Sequence, residues 1–210
     1  VTKLVLASTS PARLRLLRDG GIEPITISPG VDEELLTDQG LASGQITNTE
    51  DMVLLLARAK AEAVINHPDA QGALIIGCDS SLDLDGEALG KPHETEVAIE
   101  RWKLMRGRSG RLYTGHWLID NRDPANPKAQ GQATNTTVHF AELSDEEILA
   151  YVGTGEPLKV AGAFTIDGLG GAFIRAIEGD SHTVVGLSLP SLRELCLKLG
   201  VDYPSLWSSK

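Results

Sequence analysis

The sequence predicts an α/β protein with a mixed sheet flanked by helices, and three observations carry that reading. Apolar runs of strand length, at residues 4–6 and 73–77, alternate along the chain with amphipathic segments of helix length such as 49–67. The run at 73–77 is apolar without interruption, as in a strand covered on both faces, whereas Leu82 and Leu84 beyond it alternate with polar residues. Asp85-Gly86 is a hairpin-turn signal, so hairpins occur beside crossovers and the sheet is mixed.

In chain order, the strand at 4–6 is broken by Ser8, Ser10 and Pro11, and a basic, leucine-rich helix begins there. Ser10 before Pro11 suits an N-cap followed by the first helical residue. "GIEPITISPG" is a second strand closed by a Pro-Gly turn, and the polar residues 31–50 are expected to form a long surface loop. The segment 49–67 is a helix with Thr49 as its cap, acidic residues in its first turn and Pro68 as its stop. After the strand and hairpin at 73–89, a helix at 94–105 leads to the strand "RLYTGHWLID", with "QATNTTVHFAEL" as its hairpin partner. Ser144 and Glu147 form a capping box for a short helix. A strand at 172–177 and a last helix from "SLPSLREL" to Gly200 complete the order.

Bulk properties narrow the function. A chain of 210 residues is within the range of one domain, residues 1–210, with two small lobes as the alternative, and no separable linker is found. The net charge of −10 and an aromatic content of 4% argue against a nucleic-acid polymer as partner. A small anion remains compatible, because a few convergent basic groups and a metal ion can outweigh the overall field locally. No run of eighteen apolar residues occurs, so no membrane span is expected. Cys78 and Cys196 have neither metal spacing nor a disulfide framework. With no basic-then-apolar start, the cytoplasm is the expected compartment.

Among candidate sites, Asp79 follows "LIIGC" and is placed at the carboxyl end of a central strand, where open α/β sheets bind ligands. A strand-end Asp opening a turn is the alternative. Glu33 in "GVDEE" follows a Pro-Gly turn and faces the same sheet edge or solvent. Ser8, Ser10 and Arg13 gather hydroxyls and a guanidinium at a helix start, which suits either a cap or a phosphate. Lys91 lacks a Walker sequence behind it, and "GLGG" at 168–171 lacks dinucleotide-fingerprint spacing. The five histidines form no zinc pair, and there is no G-x-S-x-G elbow. Hard oxygen ligands with Arg and Lys remain, an inventory for Mg²⁺ and phosphate chemistry.

Taken in order, "LASTSPAR", "GVDEE", "LARAKA", "GCDSSLDLDGEALGKP", "LYTG", "EPLKVAGAF" and "IEGDSHTVVGLSLP" resemble the Maf family of nucleoside triphosphate pyrophosphatases, from Leu4 to about Pro190. The resemblance implies a Maf/ITPase-like fold of two lobes around a central cleft, a divalent metal (Mg²⁺ or Mn²⁺), often a homodimer, and release of pyrophosphate from a nucleotide. It places Ser8, Ser10 and Arg13 at the triphosphate and Asp79 at the catalytic acidic position. Glu33 and Lys91 match its other polar site residues, with Glu33 and Asp79 as metal ligands. Arg58 and Lys60 would face the same cleft, Lys60 being preferred as a substrate contact.

Four positions depart from the family pattern. Ala12 stands where many members have a second arginine, and Ser80 where Thr is common. Asp167 replaces a Gln found in one large subgroup, associated with dTTP and UTP, and Val160 a common Lys. The family associates positions 12, 80 and 167 with base selection, so a different base preference, extending to non-canonical or modified bases, is expected. Two other classes stay open: a non-catalytic nucleotide-binding regulator of cell division, and a phosphatase or nucleotidyltransferase with similar ligands.

Overall fold

The computed structural model describes residues 1–208. Its elements are β1 (Leu4–Ala7), α1 (Pro11–Asp19), β2 (Ile25–Thr26), α2 (Glu33–Ser43), α3 (Thr49–Ala63), β3 (Leu74–Leu84), β4 (Glu87–Leu89), α4 (Thr95–Met105), β5 (Ser109–Asp120), β6 (Lys128–Phe140), α5 (Asp145–Gly153), β7 (Ile174–Glu178), α6 (Ser181–Val185) and α7 (Leu189–Lys198). The strands form a seven-stranded sheet of order β2-β1-β3-β5-β6-β7, with β4 paired to β3. β1 runs parallel to β2 and β3, while β3–β4 and β6–β7 are antiparallel, so the sheet is mixed as expected.

The chain divides into two compact units, neither of them a continuous stretch. The first comprises residues 1–79, 114–134 and 186–210; the second comprises 80–113 and 135–185. In the first unit, β1 and β3 pair from Leu4↔Leu74 to Ala7↔Gly77. One side of this pair packs against α3, with Val5, Ala7, Ala61, Val64, Ile75 and Ile119 in a common core. Helix α3 buries Val53, Leu56, Ala57, Lys60 and Ala61, the i, i+3, i+4 stripe of an amphipathic helix with a lysine on its apolar face.

That helix lies unusually close to the sheet. A Cβ on Gly77 would stand 2.2 Å from the Ala57 carbonyl oxygen and 2.8 Å from the Ala61 nitrogen. Gly115 on β5 meets the Val53 carbonyl in the same way, at 2.2 Å. Backbone atoms inside a helix cannot step aside, so Gly77→Ala is expected to cost about 1–3 kcal/mol. A urea titration checks this, and an unchanged midpoint would mean that α3 does not need the glycine.

The second unit is built around Trp102 on α4. Its ring meets Phe140, Tyr151 and Phe173 edge-on at 5.7, 5.6 and 6.1 Å, and its indole N–H donates to the Ala163 carbonyl at 2.8 Å. These are favoured aromatic geometries, with the polar tip of the buried Trp satisfied. The Asp85-Gly86 hairpin is present, both residues having positive φ (58° and 86°), as a type I′ turn requires.

Several sequence expectations need correction. Residues 31–50 are not one long loop: Asp32 caps α2 by accepting the Leu35 N–H at 3.0 Å, and left-handed Gly44 ends it. The cap of α3 is Asn48 rather than Thr49, and the helix stops at Ala63, short of Pro68. β2 contracts to two residues. Asp79 sits within β3 rather than at its end, because β3 runs on beyond its pairing with β1 to pair with β4. The strand expected at 172–177 is β7, at Ile174–Glu178, preceded by a 3-10 turn.

Candidate active site

The first cluster lies where β1 hands over to α1. Ser10 is the cap: its Oγ accepts the Arg13 backbone N–H, and Pro11 opens the helix. Ser8 Oγ accepts twice, from the Ser10 N–H at 3.1 Å and from Arg13 Nη1 at 3.2 Å. Arg13 Nε donates to the Gly186 carbonyl at 2.6 Å, and the residue is only 9% exposed. Ser8, Ser10 and Arg13 therefore do come together, and the guanidinium is held in place rather than left to swing. The segment just after Gly186 is fixed as well. Ser188 N–H donates to His116 Nε2 at 2.8 Å, and Ser188 Oγ caps α7.

The second cluster joins β3, α3 and α2. Side chains alternate along a strand, so Gly77 and Asp79 share the face of β3 that meets α3. With α3 so close at Gly77, Lys60 reaches Asp79: its Nζ donates to Asp79 Oδ1 at 2.6 Å, the two side chains being 7% and 10% exposed. The same ammonium lies 2.9 Å from Glu33 Oε1, on the first residue of α2. Two carboxylates thus converge on one cation just beyond the carboxyl end of the parallel β1–β3 pair, the favoured ligand position of such sheets. Acidic residues at 32–34 suit the start of α2 electrostatically.

Cys78 lies between these clusters in electrostatic terms. Burial pushes its thiol up to about 11, and the opposing influence of Arg13 and Lys60 does not overcome this. It is a packed, protonated thiol and not a nucleophile.

The remaining sequence-predicted residues have different surroundings. Ala12 is half-buried on α1. Ser80, half-buried on β3, Lys91, exposed between β4 and α4, and Asp167, exposed in a bend, all belong to the second unit. Arg58 departs from expectation. It projects from the exposed side of α3, paired with Glu62 at 2.7 Å and stacked 5.1 Å over Trp117, while Lys60 is buried. Two residues apart on a helix is about 200° of rotation, so the pair cannot share one face.

Sequence reasoning did not find Gly186 or His116. His116 gave a faint signal, being an imidazole directly before the apolar run Trp117, Leu118 and Ile119 on β5. Nothing local marks Gly186 as the acceptor for Arg13.

In the first unit a serine-capped helix start thus fixes a guanidinium, and two carboxylates share one ammonium, groups of the kinds that phosphate and hard cations bind in general. The chain belongs to the Maf-like protein family, whose model matches residues 3–199. A nucleoside triphosphate pyrophosphatase of Leifsonia xyli subsp. xyli is 50% identical over 208 residues, covering 98% of this chain and 97% of that protein. One from Salinispora tropica is 51% identical over 209 residues, covering 98% of this chain and 88% of that protein. The structural likeness to the Staphylococcus aureus Ham1 protein is slight, with a TM-score of 0.41 and 17% identity over 67% of this chain and 73% of that one.

Proposed function

We propose that this protein is a nucleoside triphosphate pyrophosphatase, hydrolysing the α–β phosphoanhydride to give a nucleoside monophosphate and pyrophosphate. The observation that carries the reading is Lys60 Nζ bridging Asp79 and Glu33, at 2.6 and 2.9 Å. Family membership and the names of relatives about half identical along the whole chain support it.

In this reading Asp79 orients the attacking water and accepts its proton. Lys60 fixes the Asp79 carboxylate in one orientation. Ser8, Ser10 and Arg13 receive phosphate oxygens at the start of α1. Lys91 counters charge that grows on the leaving pyrophosphate. Ala12, Ser80 and Asp167 border the base. The catalytic set is therefore Asp79, Glu33 and Lys91.

The donor set fits a divalent cation. Glu33 and Asp79 already converge on one positive charge, and they are the residues that would hold Mg²⁺ or Mn²⁺, substrate phosphates completing the shell. Among the described residues no group of three or more His, Cys, Asp or Glu is arranged for a metal. When bound, the ion supplies charge neutralisation on the phosphates and acidifies water.

No helix among the described residues is long and apolar enough to cross a membrane. A cytoplasmic location, a homodimer and a single Maf-like domain of two lobes complete the proposal. The test is product analysis over a panel of canonical and modified nucleoside triphosphates, with Mg²⁺ and with chelator. Expected products are pyrophosphate and the monophosphate, with turnover lost in chelator. Orthophosphate would indicate a phosphatase, and binding without products a sensor.

A further inference from the structure

The "GLGG" stretch, which matches no nucleotide-binding fingerprint, has a definite role in the second unit. It wraps around the carboxylate of Glu156. Glu156 Oε1 accepts from the Tyr151 hydroxyl and the Thr165 hydroxyl, both at 2.8 Å, and from the Gly170 N–H at 2.9 Å. Glu156 Oε2 accepts the Leu169 N–H at 2.9 Å. Four donors on one half-buried carboxylate is close to its full acceptor capacity.

Both sides of a short loop are tied to that carboxylate, Thr165 on one and Leu169 with Gly170 on the other. Only Ile166, Asp167 and Gly168 lie between the ties, and Asp167 is exposed at their centre. The wrap leaves no room for side chains at its glycines. A Cβ on Gly170 would stand 2.2 Å from the Tyr151 hydroxyl oxygen and 2.8 Å from the Thr165 carbonyl oxygen. Burial alone would raise the Glu156 carboxyl, but the Gly170 and Leu169 amides and the two hydroxyls outweigh it and hold it below the usual range. The clamp is thus fully formed above the ordinary carboxylate range and is lost only as pH falls through that lowered value.

We propose that Glu156 is the positioning residue for base selection: it fixes the 165–170 loop so that Asp167 is presented in one place. The assignment rests on the reading of Asp167 as a base contact. Glu156 itself touches no substrate.

The experiment compares wild type, Glu156→Gln, Asp167→Asn and the double variant. It measures kcat and KM over a panel of nucleoside triphosphates that differ only in the base. Amide hydrogen exchange at Leu169 and Gly170 is followed in the same proteins. Glu156→Gln should shrink the spread of kcat/KM between the best and worst bases by about tenfold, chiefly through KM, while kcat for the best base changes little. Exchange at the two amides should rise by about tenfold. Asp167→Asn should reorder the bases, and adding Glu156→Gln to it should alter the spread by less than about twofold, because both act through one contact.

Faster exchange with an unchanged spread would overturn the proposal and leave Glu156 a purely structural anchor. An undiminished effect of Glu156→Gln in the Asp167→Asn background would also overturn it. An unchanged ranking in Asp167→Asn would instead remove the base-contact reading, and the proposal with it, while pyrophosphate release in the same assays continued to report the reaction. Should Glu156→Gln fail to fold, Tyr151→Phe removes one donor and keeps the carboxylate. It should give the same shift in KM spread to a smaller degree, and no shift would count against the proposal.

Discussion

Asp79→Asn is expected to lower kcat for a nucleoside triphosphate by about 10²–10⁴-fold, the contribution of a positioned general base. The substitution keeps the shape of the side chain and leaves an amide oxygen that can still accept from Lys60 Nζ, now 2.6 Å from Asp79 Oδ1. The fold should therefore survive, as a circular dichroism spectrum and thermal melt would show. What is lost is the negative charge that, in the proposed mechanism, takes a proton from water and helps to hold a cation. A variant that retains most of its kcat would reduce Asp79 to an anchor for Lys60.

Lys60→Met should produce the largest loss of stability among single substitutions at the site, about 3–5 kcal/mol, because it leaves a buried carboxylate without its partner. Asp79 has a side chain only 10% exposed and cannot turn to solvent, whereas Glu33, at 45%, can. Methionine fills much the same volume, so a cavity is not the cause. Activity should fall with stability, since Asp79 loses the group that orients it. A urea titration giving a change below about 1 kcal/mol would place this pair with ordinary surface ion pairs.

Features encoded by neighbouring residues were legible in the sequence. The Ser10–Pro11 helix start, the Ser144–Glu147 capping box and the Asp85-Gly86 hairpin all stand where the letters put them. Each depends on residues within a few positions, so no distant partner is needed to specify it.

Helix α2 was not legible because it lacks an apolar stripe. Leu35 and Leu41 are both exposed and only Gly40 is buried, so its caps were its only signal. That gap matters to the site, since α2 is the element that carries Glu33 to Lys60. The end of β3 was misplaced for another reason. The apolar run stops where pairing with β1 stops, but the strand continues with β4 as partner. Sequence patterns register a change of cover and not a change of neighbour.

Of the site itself, the residue types were legible and the couplings were not. Lys60 lies 19 positions from Asp79, and Arg13 lies 173 from Gly186. Contacts of that separation come from packing, here the close approach of α3 at Gly77. The Glu156 clamp was hidden in the same way. Its glycines read as a weak phosphate motif until the carboxylate they enclose was seen.

The central claim is that water attacks the α-phosphorus beside Asp79 and expels intact pyrophosphate. Hydrolysis of a nucleoside triphosphate in ¹⁸O-labelled water, with mass spectrometry of both products, tests it most directly. Single-turnover conditions prevent later exchange from obscuring the label. The proposed reaction puts one ¹⁸O into the nucleoside monophosphate and none into pyrophosphate. Label found in pyrophosphate, or in orthophosphate, would show attack at the β- or γ-phosphorus and contradict the account.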